Sequence, residues 1–196
     1  EEDDGGQRKI AVLMIDLDHF KVVNDSLGHD KGDLLLRAAA DAIVRCVGNG
    51  RLVARIGGDE FTVMIPDAGD EQEIASLADR LLKELEKPFD INGQDLYITA
   101  SIGISWYPSN GTEVSELLKM ADTAMYRAKH QGRNQVLAYD SLMGHGVNDQ
   151  LMFGNKLRKA VDSMTEFRLH YQPQFDMRTG RIIGMEALLR WADPDR

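Results

Sequence analysis

The chain has 196 residues, of which 43% are hydrophobic and 28% are charged, and its formal net charge is −9. This composition is typical of a soluble globular protein, and the length allows one domain of ordinary size plus part of another. The acidic balance argues against a DNA-binding surface, which would need a basic patch. A nucleotide can still bind such a protein where a divalent metal and a few cations supply positive charge.

Three further features bear on location. No run approaches the roughly 18 apolar residues of a membrane span, and no signal peptide opens the chain. Cys46 is the single cysteine, which excludes an internal disulfide. We therefore expect a reduced, cytoplasmic setting, although parts outside this sequence can still anchor the parent protein in a membrane.

A continuous apolar run over residues 10–16 predicts a central strand buried on both faces and ending in acid. Asp18 shares a face with Asp16 if the strand continues. If the strand turns there, the Leu17 carbonyl becomes available, and a carboxylate beside a carbonyl suits a hard cation such as Mg²⁺. Lys21 can then meet a phosphate. The alternative is an ordinary loop between strand and helix, in which Asp or Asn side chains only cap the helix.

The segment Gly28-His29-Asp30-Lys31-Gly32-Asp33 leads into a helix predicted over residues 33–47. Asp33 is then an N-cap or first-turn residue, which is a common structural role. Alternatively, Asn24 and Asp33 together bind a guanine edge, since a carboxylate accepts from N1–H and the exocyclic amine. On residue type alone, His29 is interpreted as a structural hydrogen-bonding residue rather than a catalyst.

Two short apolar runs, residues 52–56 and 61–65, flank the turn Gly57-Gly58-Asp59-Glu60 and predict a β-hairpin. The glycines allow positive φ and leave room for a bulky ligand near the backbone, while two adjacent carboxylates are held at the tip. This combination is consistent with a phosphate or nucleotide and its metal ion. Many hairpin turns read Gly-Gly-Asp with no function, so the turn alone leaves both interpretations open.

The following residues alternate helices with strands. Residues 70–87 and 113–130 predict amphipathic helices, and residues 89–106 predict a second hairpin around the Asn92-Gly93 turn. Residues 135–139 predict a further strand. Because hairpins imply antiparallel pairing, the expected fold class is α+β with a central, mostly antiparallel sheet flanked by helices.

A basic group lies near the predicted end of the helix over residues 113–130. Lys129 and Arg133 are four residues apart and are predicted to share a helix face, with Gly132 as the terminator of the helix. Either these cations satisfy the helix dipole, or they reach one cleft and suit a triphosphate.

Three blocks in this order carry a resemblance to a known family. They read Asp-x-Asp-x-Phe-Lys-x-x-Asn-Asp-x-x-Gly-His-x-x-Gly-Asp-x-Leu-Leu from residue 16, Ala-Arg-Ile-Gly-Gly-Asp-Glu-Phe from residue 54, and Ala-Asp-x-Ala-Met-Tyr-x-Ala-Lys-x-x-Gly-Arg-Asn from residue 121. Residues 9–140 thereby resemble the GGDEF family of diguanylate cyclases, which condense two GTP into cyclic di-GMP with release of pyrophosphate. The resemblance implies the palm-like fold of nucleotide cyclases.

The resemblance also implies roles for individual residues. Asp16, Asp59 and the Leu17 carbonyl would hold Mg²⁺ or Mn²⁺, Asp59 or Glu60 would help deprotonate the ribose 3′-hydroxyl, and Lys21 would stabilise the reacting phosphate. The positions implied to bind GTP are Asn24, His29 and Asp33 at the nucleoside end, Lys129 and Arg133 at the triphosphate, and Gly57 and Gly58 along the turn. Because one site binds one GTP, the active species would be a homodimer with the cleft at its interface.

The chain departs from the family pattern upstream of the turn. Where members with product inhibition carry Arg-x-x-Asp, this sequence reads Gly48-Asn49-Gly50-Arg51, so we expect that inhibitory site to be absent. The family's Leu-Thr-Gly-Leu-x-Asn-Arg lead-in is also not found before the first strand.

The tail resembles the start of an EAL domain, the cyclic di-GMP phosphodiesterase, through Tyr171-Gln-Pro-Gln174 and Gly184-Met-Glu-Ala-Leu-Leu-Arg-Trp191. Glu186 would be a metal ligand there, and Arg190 would line the nucleotide site. The other carboxylate ligands would lie beyond Arg196, so no hydrolysis of cyclic di-GMP is expected from this chain.

Taken together, the sequence predicts three regions. They are a GGDEF domain over residues 1–141, a linker with a helix at 151–164 in residues 142–164, and a truncated start of an α/β barrel over residues 165–196, with short strands at 167–171 and 181–184. The leading functional hypothesis is an active diguanylate cyclase. The alternatives are a catalytically silent GTP-binding module that regulates the attached EAL domain, and a dimerising scaffold, which would not need Asp16, Lys21 or Asp59.

Overall fold

The computed structural model of the protein describes residues 9–143, 160–163 and 165–192. The chain divides into two compact units, Glu1–His145 and Gly146–Arg196. In chain order, the elements of the first unit are β1 (Ile10–Asp18), α1 (Phe20–Leu27), α2 (His29–Val47), β2 (Leu52–Gly57), β3 (Glu60–Ile65), α3 (Glu71–Leu85), β4 (Phe89–Ile91), β5 (Gln94–Leu96), β6 (Thr99–Tyr107), α4 (Val114–His130) and β7 (Gln135–Ala138). The second unit contains β8 (Phe167–Phe175) and β9 (Ile182–Trp191).

A five-stranded sheet forms the centre of the first unit, with the strand order β2-β3-β1-β6-β7. β1 pairs antiparallel with β3 and β6, and β2 pairs antiparallel with β3, whereas β7 joins β6 in parallel. The predicted α+β class with a mostly antiparallel sheet flanked by helices is confirmed. The hairpin at residues 57–60, the helices α3 and α4 and the strand β7 are also found within a few residues of their predicted bounds.

Different helices cover the two faces of β1, because its side chains alternate between them. Leu13 and Ile15 are fully buried in the larger core, to which α2 and α3 contribute. Met14 faces the other way and packs in a smaller core against α4. β1 continues to Asp18, so Asp16 and Asp18 belong to the face on which α4 lies.

The helix α4 lies directly against β6 at Gly103. A Cβ atom added there would lie 2.0 Å from the Ala121 carbonyl oxygen and 2.2 Å from the backbone nitrogen of Met125. Only glycine therefore allows the helix to pack at this distance. Gly103 pairs with Met14 of β1, so this contact sets the height of α4 above the face that carries the two carboxylates.

The segment after β1, predicted as a loop, forms the helix α1. Phe20 is buried at its start, and Gly28 with φ 85° makes the corner into α2. The β-branched pair Val22-Val23 and the polar pair after it obscured the helix, since such residues have modest helix propensity.

The helix α2 begins at His29, four residues before the predicted start. Gly32 lies within α2, where its missing side chain leaves room for the Asn24 side chain of α1. A Cβ atom on Gly32 would lie only 1.9 Å from Oδ1 of Asn24. Asp33 is consequently neither an N-cap nor a first-turn residue, and that structural interpretation was wrong.

The hairpin predicted over residues 89–106 is confirmed only at its turn. Asn92 and Gly93 take positive φ of 57° and 79° between β4 and β5. The chain then leaves this hairpin at residues 97–98, and β6 pairs with β1 instead. β6 is buried on both faces, which requires a central position in a larger sheet.

The strands β8 and β9 form an antiparallel hairpin that is longer than the two short strands predicted there. Pro173 lies within β8, opposite Met185, and the turn contains Gly180 with φ 68°. Glu186 and Arg190 are exposed and share one face of β9.

Of the helix predicted over residues 151–164, residues 160–163 are helical, and residues 151–159 and 164 lie outside the described residues. None of the helices in the described part of the chain is long and apolar enough to span a membrane.

Candidate active site

Asp18 is buried at the end of β1, where three hydrogen bonds hold its carboxylate. The hydroxyls of Thr99 and Ser101 donate to it at 2.7 and 2.8 Å, and the backbone N–H of Asn134 donates at 3.1 Å. These bonds join β1, β6 and the loop after α4. Asp18 therefore has a structural role, because its carboxylate oxygens are already hydrogen-bonded. Of the two aspartates of β1, Asp16 is the one that can bind a ligand.

Asp16 is 5% exposed and forms an ion pair with Lys129 of α4, with 2.6 Å between Oδ2 and Nζ. It lies opposite Glu60 in the register of β1 and β3, so the two side chains share a face. Burial raises the pKa of the Asp16 carboxyl from 3.8 to about 6; Lys129 opposes this rise, and the negative charges of Asp59 and Glu60 add to it. The site thus holds more negative charge than Lys129 neutralises, which favours binding of a cation.

The turn between β2 and β3 brings Asp59 to the end of β1. Gly58 adopts a left-handed conformation with φ 53°, and the Asp59 carbonyl accepts a hydrogen bond from the Leu17 N–H at 3.3 Å. Because the N–H and C=O of one strand residue point to the same neighbouring strand, the Leu17 carbonyl also points toward the turn. Oxygen donors of Asp16, Leu17 and Asp59 therefore lie at one end of the sheet.

Gly57 is not required by the packing of the turn. Its φ is not positive, and a Cβ atom added to it would meet no atom within 4 Å. The space in front of the turn is open, so a bulky ligand can approach the backbone there.

The oxygen donors at this end of the sheet fit a hard divalent cation. Across residues 9–143, 160–163 and 165–192, no three His, Cys, Asp or Glu side chains are already grouped so that they could hold a metal ion. Two carboxylates and a carbonyl nevertheless suit Mg²⁺, which commonly completes its shell with water and phosphate oxygens. Asp16, Asp59 and Leu17 fit such an ion once Lys129 moves away from Asp16.

The corner between α1 and α2 brings Asn24 beside the start of α2. Its side-chain oxygen lies against Gly32, the residue before Asp33. Asp33 lines an open cleft of about 200 Å³ together with Leu36 and Arg55. The cleft is also lined by Arg37 and Ala40, and its carboxylate and apolar wall suit a flat base with a hydrogen-bonding edge. The Asn24 amide does not line the cleft but lies near it, against Gly32.

The other predicted cationic and imidazole residues are Lys21 on α1, His29 at the start of α2, and Arg133; all three are exposed. Arg133 is not on α4 as predicted, because the helix ends at His130 and Arg133 takes a left-handed φ of 63°. Lys129 and Arg133 therefore do not share a helix face. Lys129 lies in the last turn of α4, and Arg133 follows the helix by three residues.

Two features of the site escaped the sequence reasoning. The first is Arg55, whose Nε and Nη2 donate to the Gly58 carbonyl at 2.9 and 2.7 Å; an arginine three residues before a glycine in a turn was the available signal. The second is the pairing of Lys129 with Asp16. Only the tertiary position of α4 reveals that contact, and no local pattern could have indicated it.

Similarity to known proteins agrees with this geometry. Residues 2–135 match the family described as "Diguanylate cyclase, GGDEF domain", and residues 154–196 match the EAL domain. The bifunctional diguanylate cyclase/cyclic di-GMP phosphodiesterase MucR of Pseudomonas aeruginosa is 44% identical over 187 residues, which are 95% of this chain and 27% of that protein. The cyclic di-GMP phosphodiesterase NbdA of the same organism is 38% identical over 185 residues, 94% of this chain and 23% of that protein.

The chain thus spans about a quarter of the length of these relatives. Among solved structures, an EAL/GGDEF domain protein from M. capsulatus is similar with a TM-score of 0.65 and 44% identity, over 71% of this chain and 89% of that one. The family match covers more than half of the residues, and the site motifs lie within it. The protein therefore belongs to the GGDEF-domain family of diguanylate cyclases, carries part of an EAL domain after it, and has a role in cyclic di-GMP signalling.

Proposed function

We propose that the first unit is an active diguanylate cyclase, which joins two GTP molecules into cyclic di-GMP and releases two pyrophosphates. The observation that carries this proposal is the buried, incompletely neutralised Asp16 beside an open turn that bears Asp59 and Glu60. Such a carboxylate is costly to the fold, and the space over Gly57 has no packing purpose. Both features are explained by a ligand that brings a metal ion and phosphates.

The carboxylates have distinct roles in this proposal. Asp16, Asp59 and the Leu17 carbonyl would hold Mg²⁺ or Mn²⁺, which when bound polarises the phosphate under attack and lowers the pKa of the ribose 3′-hydroxyl. Asp59 or Glu60 accepts the proton of that hydroxyl, since both lie at the tip of the turn. Lys21 neutralises charge on the reacting phosphate from the exposed face of α1.

The remaining residues hold GTP. Asn24 and Asp33 bind the guanine edge at the corner of α1 and α2, with His29 nearby at the start of α2. Arg133 and Lys129 bind the triphosphate. Lys129 thereby exchanges the Asp16 carboxylate for a phosphate oxygen, which frees Asp16 for the metal ion.

The product requires two copies of this site. Each site has one cleft for one base, whereas cyclic di-GMP contains two nucleotides joined by two phosphodiester bonds. We infer that two copies face each other, so that the 3′-hydroxyl of each GTP attacks the α-phosphate of the other. Each attack forms one P–O bond and expels one pyrophosphate, and one proton leaves each hydroxyl.

A second candidate function is a GTP-binding module that regulates an attached EAL domain without turnover. The observation that favours it is the phosphodiesterase name of NbdA, which is 38% identical to this chain. In this case the site would bind GTP and the metal ion, but no cyclic di-GMP would form.

The two candidates are separated by incubating the protein with GTP and Mg²⁺ and measuring cyclic di-GMP by chromatography. We expect product from the wild type, formed at an initial rate that rises with the square of protein concentration while monomers dominate. Asp59→Asn should lower the rate at least about 100-fold, and Asp79→Asn, on the exposed face of α3, should leave it unchanged.

Calorimetry with a non-hydrolysable GTP analogue measures binding in the same samples. If GTP binds and no product forms at any protein concentration, the cyclase proposal is wrong and the silent module replaces it. If GTP does not bind at all, both proposals are wrong.

A further inference from the structure

We propose that Arg55 is a positioning residue of this site, which fixes the glycine turn so that Asp59 is held at the end of β1. The proposal rests on the proposed cyclase function and gives a role to a side chain that acts through the backbone. Nε and Nη2 of Arg55 both donate to the Gly58 carbonyl, at 2.9 and 2.7 Å. Two N–H groups of one planar guanidinium converge on this oxygen, which restrains its position relative to the guanidinium more closely than one bond would.

The Gly58 carbonyl controls Asp59 through the peptide plane. The C=O of Gly58 and the N–H of Asp59 belong to one rigid peptide plane. Restraining the Gly58 oxygen therefore also restrains the orientation of the Asp59 N–H. On its other side, the Asp59 carbonyl accepts from Leu17 at 3.3 Å, which is long for a hydrogen bond. The shorter pair of bonds from Arg55 is therefore the firmer of the two restraints on Asp59.

The turn needs such a restraint because its own residues supply little. Gly57 and Gly58 have the largest backbone freedom of any residue type, and a Cβ atom on either would meet nothing within 4 Å. Because Arg55 is exposed, its bonds contribute little to the free energy of unfolding. Their main effect is to hold the carboxylate in place before a ligand arrives.

Arg55 also borders the site of the base. It lines the same cleft of about 200 Å³ as Asp33 and Leu36. A base seated in this cleft lies beside the side chain that holds the turn. Arg55 thus joins the half of the site that recognises the nucleotide to the half that carries the metal ligands.

The test compares Arg55→Lys and Arg55→Gln with the wild type, and uses Arg45→Gln on the exposed side of α2 as the matched control. Mn²⁺ affinity is measured by electron paramagnetic resonance in the presence of a non-hydrolysable GTP analogue. Steady-state kinetics, thermal unfolding and amide hydrogen exchange of the turn are measured on the same proteins.

We expect both Arg55 variants to lose about 10- to 100-fold in Mn²⁺ affinity and in kcat, while KM for GTP stays within about threefold. Exchange of the turn amides should quicken and Tm should stay unchanged. Arg55→Lys should be as poor as Arg55→Gln, because one ammonium group cannot make both bonds in the fork geometry. The Arg45→Gln control should match the wild type in every measurement.

Three outcomes would overturn the proposal. Wild-type behaviour of Arg55→Lys would mean that only a positive charge is needed. A raised KM with unchanged kcat would mean that Arg55 contacts the nucleotide, and a fall in Tm that accounts for the lost activity would make its role purely structural. If the wild type makes no product, the cyclase proposal fails, but Mn²⁺ affinity and turn exchange still decide the role of Arg55.

Discussion

Replacing Asp16 by Asn should stabilise the metal-free protein at neutral pH while abolishing its activity. The pKa of Asp16 is raised from 3.8 to about 6, mainly by burial. Because the folded-state value lies above the unfolded one, ionisation destabilises the fold, and stability is lost as the pH rises from about 4 to about 6. One pKa unit corresponds to about 1.4 kcal/mol, so the ionised side chain costs the folded state about 3 kcal/mol at pH 7.5 and about 1 kcal/mol at pH 4.5.

The uncharged amide removes most of that cost. Lys129 loses its partner in the variant, but its side chain is 27% exposed and can reach water. For a chain of this size, about 3 kcal/mol corresponds to a rise in Tm of about 6–12 °C. Thermal unfolding in buffer with a chelator, at pH 7.5 and 4.5, measures both the gain and its dependence on pH.

Asp79→Asn, on an exposed position of α3, is the control and should change the free energy of unfolding by less than about 0.5 kcal/mol at either pH. A variant Asp16→Asn that is less stable than the wild type at pH 7.5 would refute the reasoning, because the ion pair with Lys129 would then be a net stabilising contact. A gain that is equal at both pH values would refute the assignment of the cost to ionisation.

The remaining predictions concern the two glycine positions, the ion pair and inhibition by product. Gly57→Ala should fold with unchanged or slightly higher Tm but bind a fluorescent GTP analogue at least about tenfold more weakly, because its methyl group enters the ligand space rather than the protein; unchanged nucleotide affinity would show that the ligand does not approach this turn. Gly32→Ala should keep its Tm, since Ala is favoured in a helix by up to about 1 kcal/mol, yet raise KM for GTP, because the new Cβ would lie 1.9 Å from the Asn24 side-chain oxygen and must displace it; an unchanged KM would remove Asn24 from the binding site. Lys129→Met should raise Mn²⁺ affinity in the absence of nucleotide, as judged by paramagnetic resonance, because Asp16 is no longer occupied; equal or weaker affinity would mean that the lysine does not compete with the metal ion. Cyclic di-GMP should inhibit synthesis only weakly, because the Arg-x-x-Asp pattern is absent upstream of the turn; strong non-competitive inhibition would contradict this expectation.

Patterns confined to one element were readable from the sequence. The apolar run of β1 and the Gly-Gly turn between β2 and β3 follow from periodicity and turn chemistry. The Asn92-Gly93 turn was equally clear, and both of its residues have positive φ. In each case the local sequence and the final structure favour the same conformation.

Features that depend on tertiary contacts were missed. The start of α2 was predicted four residues too late, and within its first turns Gly32 leaves room for the Asn24 side chain of α1. Arg133 looked like a helix residue, but the chain turns away after His130, and Asn134 is held by Asp18, 116 positions earlier. The partners that decide these positions are distant in sequence, so no window of neighbouring residues contains them.

The packing of α4 on Gly103 controls how close the Lys129 ammonium comes to the Asp16 carboxylate. Lys129 lies four residues beyond Met125, about one helical turn or 6 Å along α4, and the backbone of Met125 rests on Gly103. A side chain at residue 103 would lift this part of the helix away from the sheet and carry the Lys129 ammonium away from Asp16. A single methyl group at residue 103, which would collide with the backbone of α4 rather than with any ionisable group, would thereby change the charge balance of the metal site about one helical turn away.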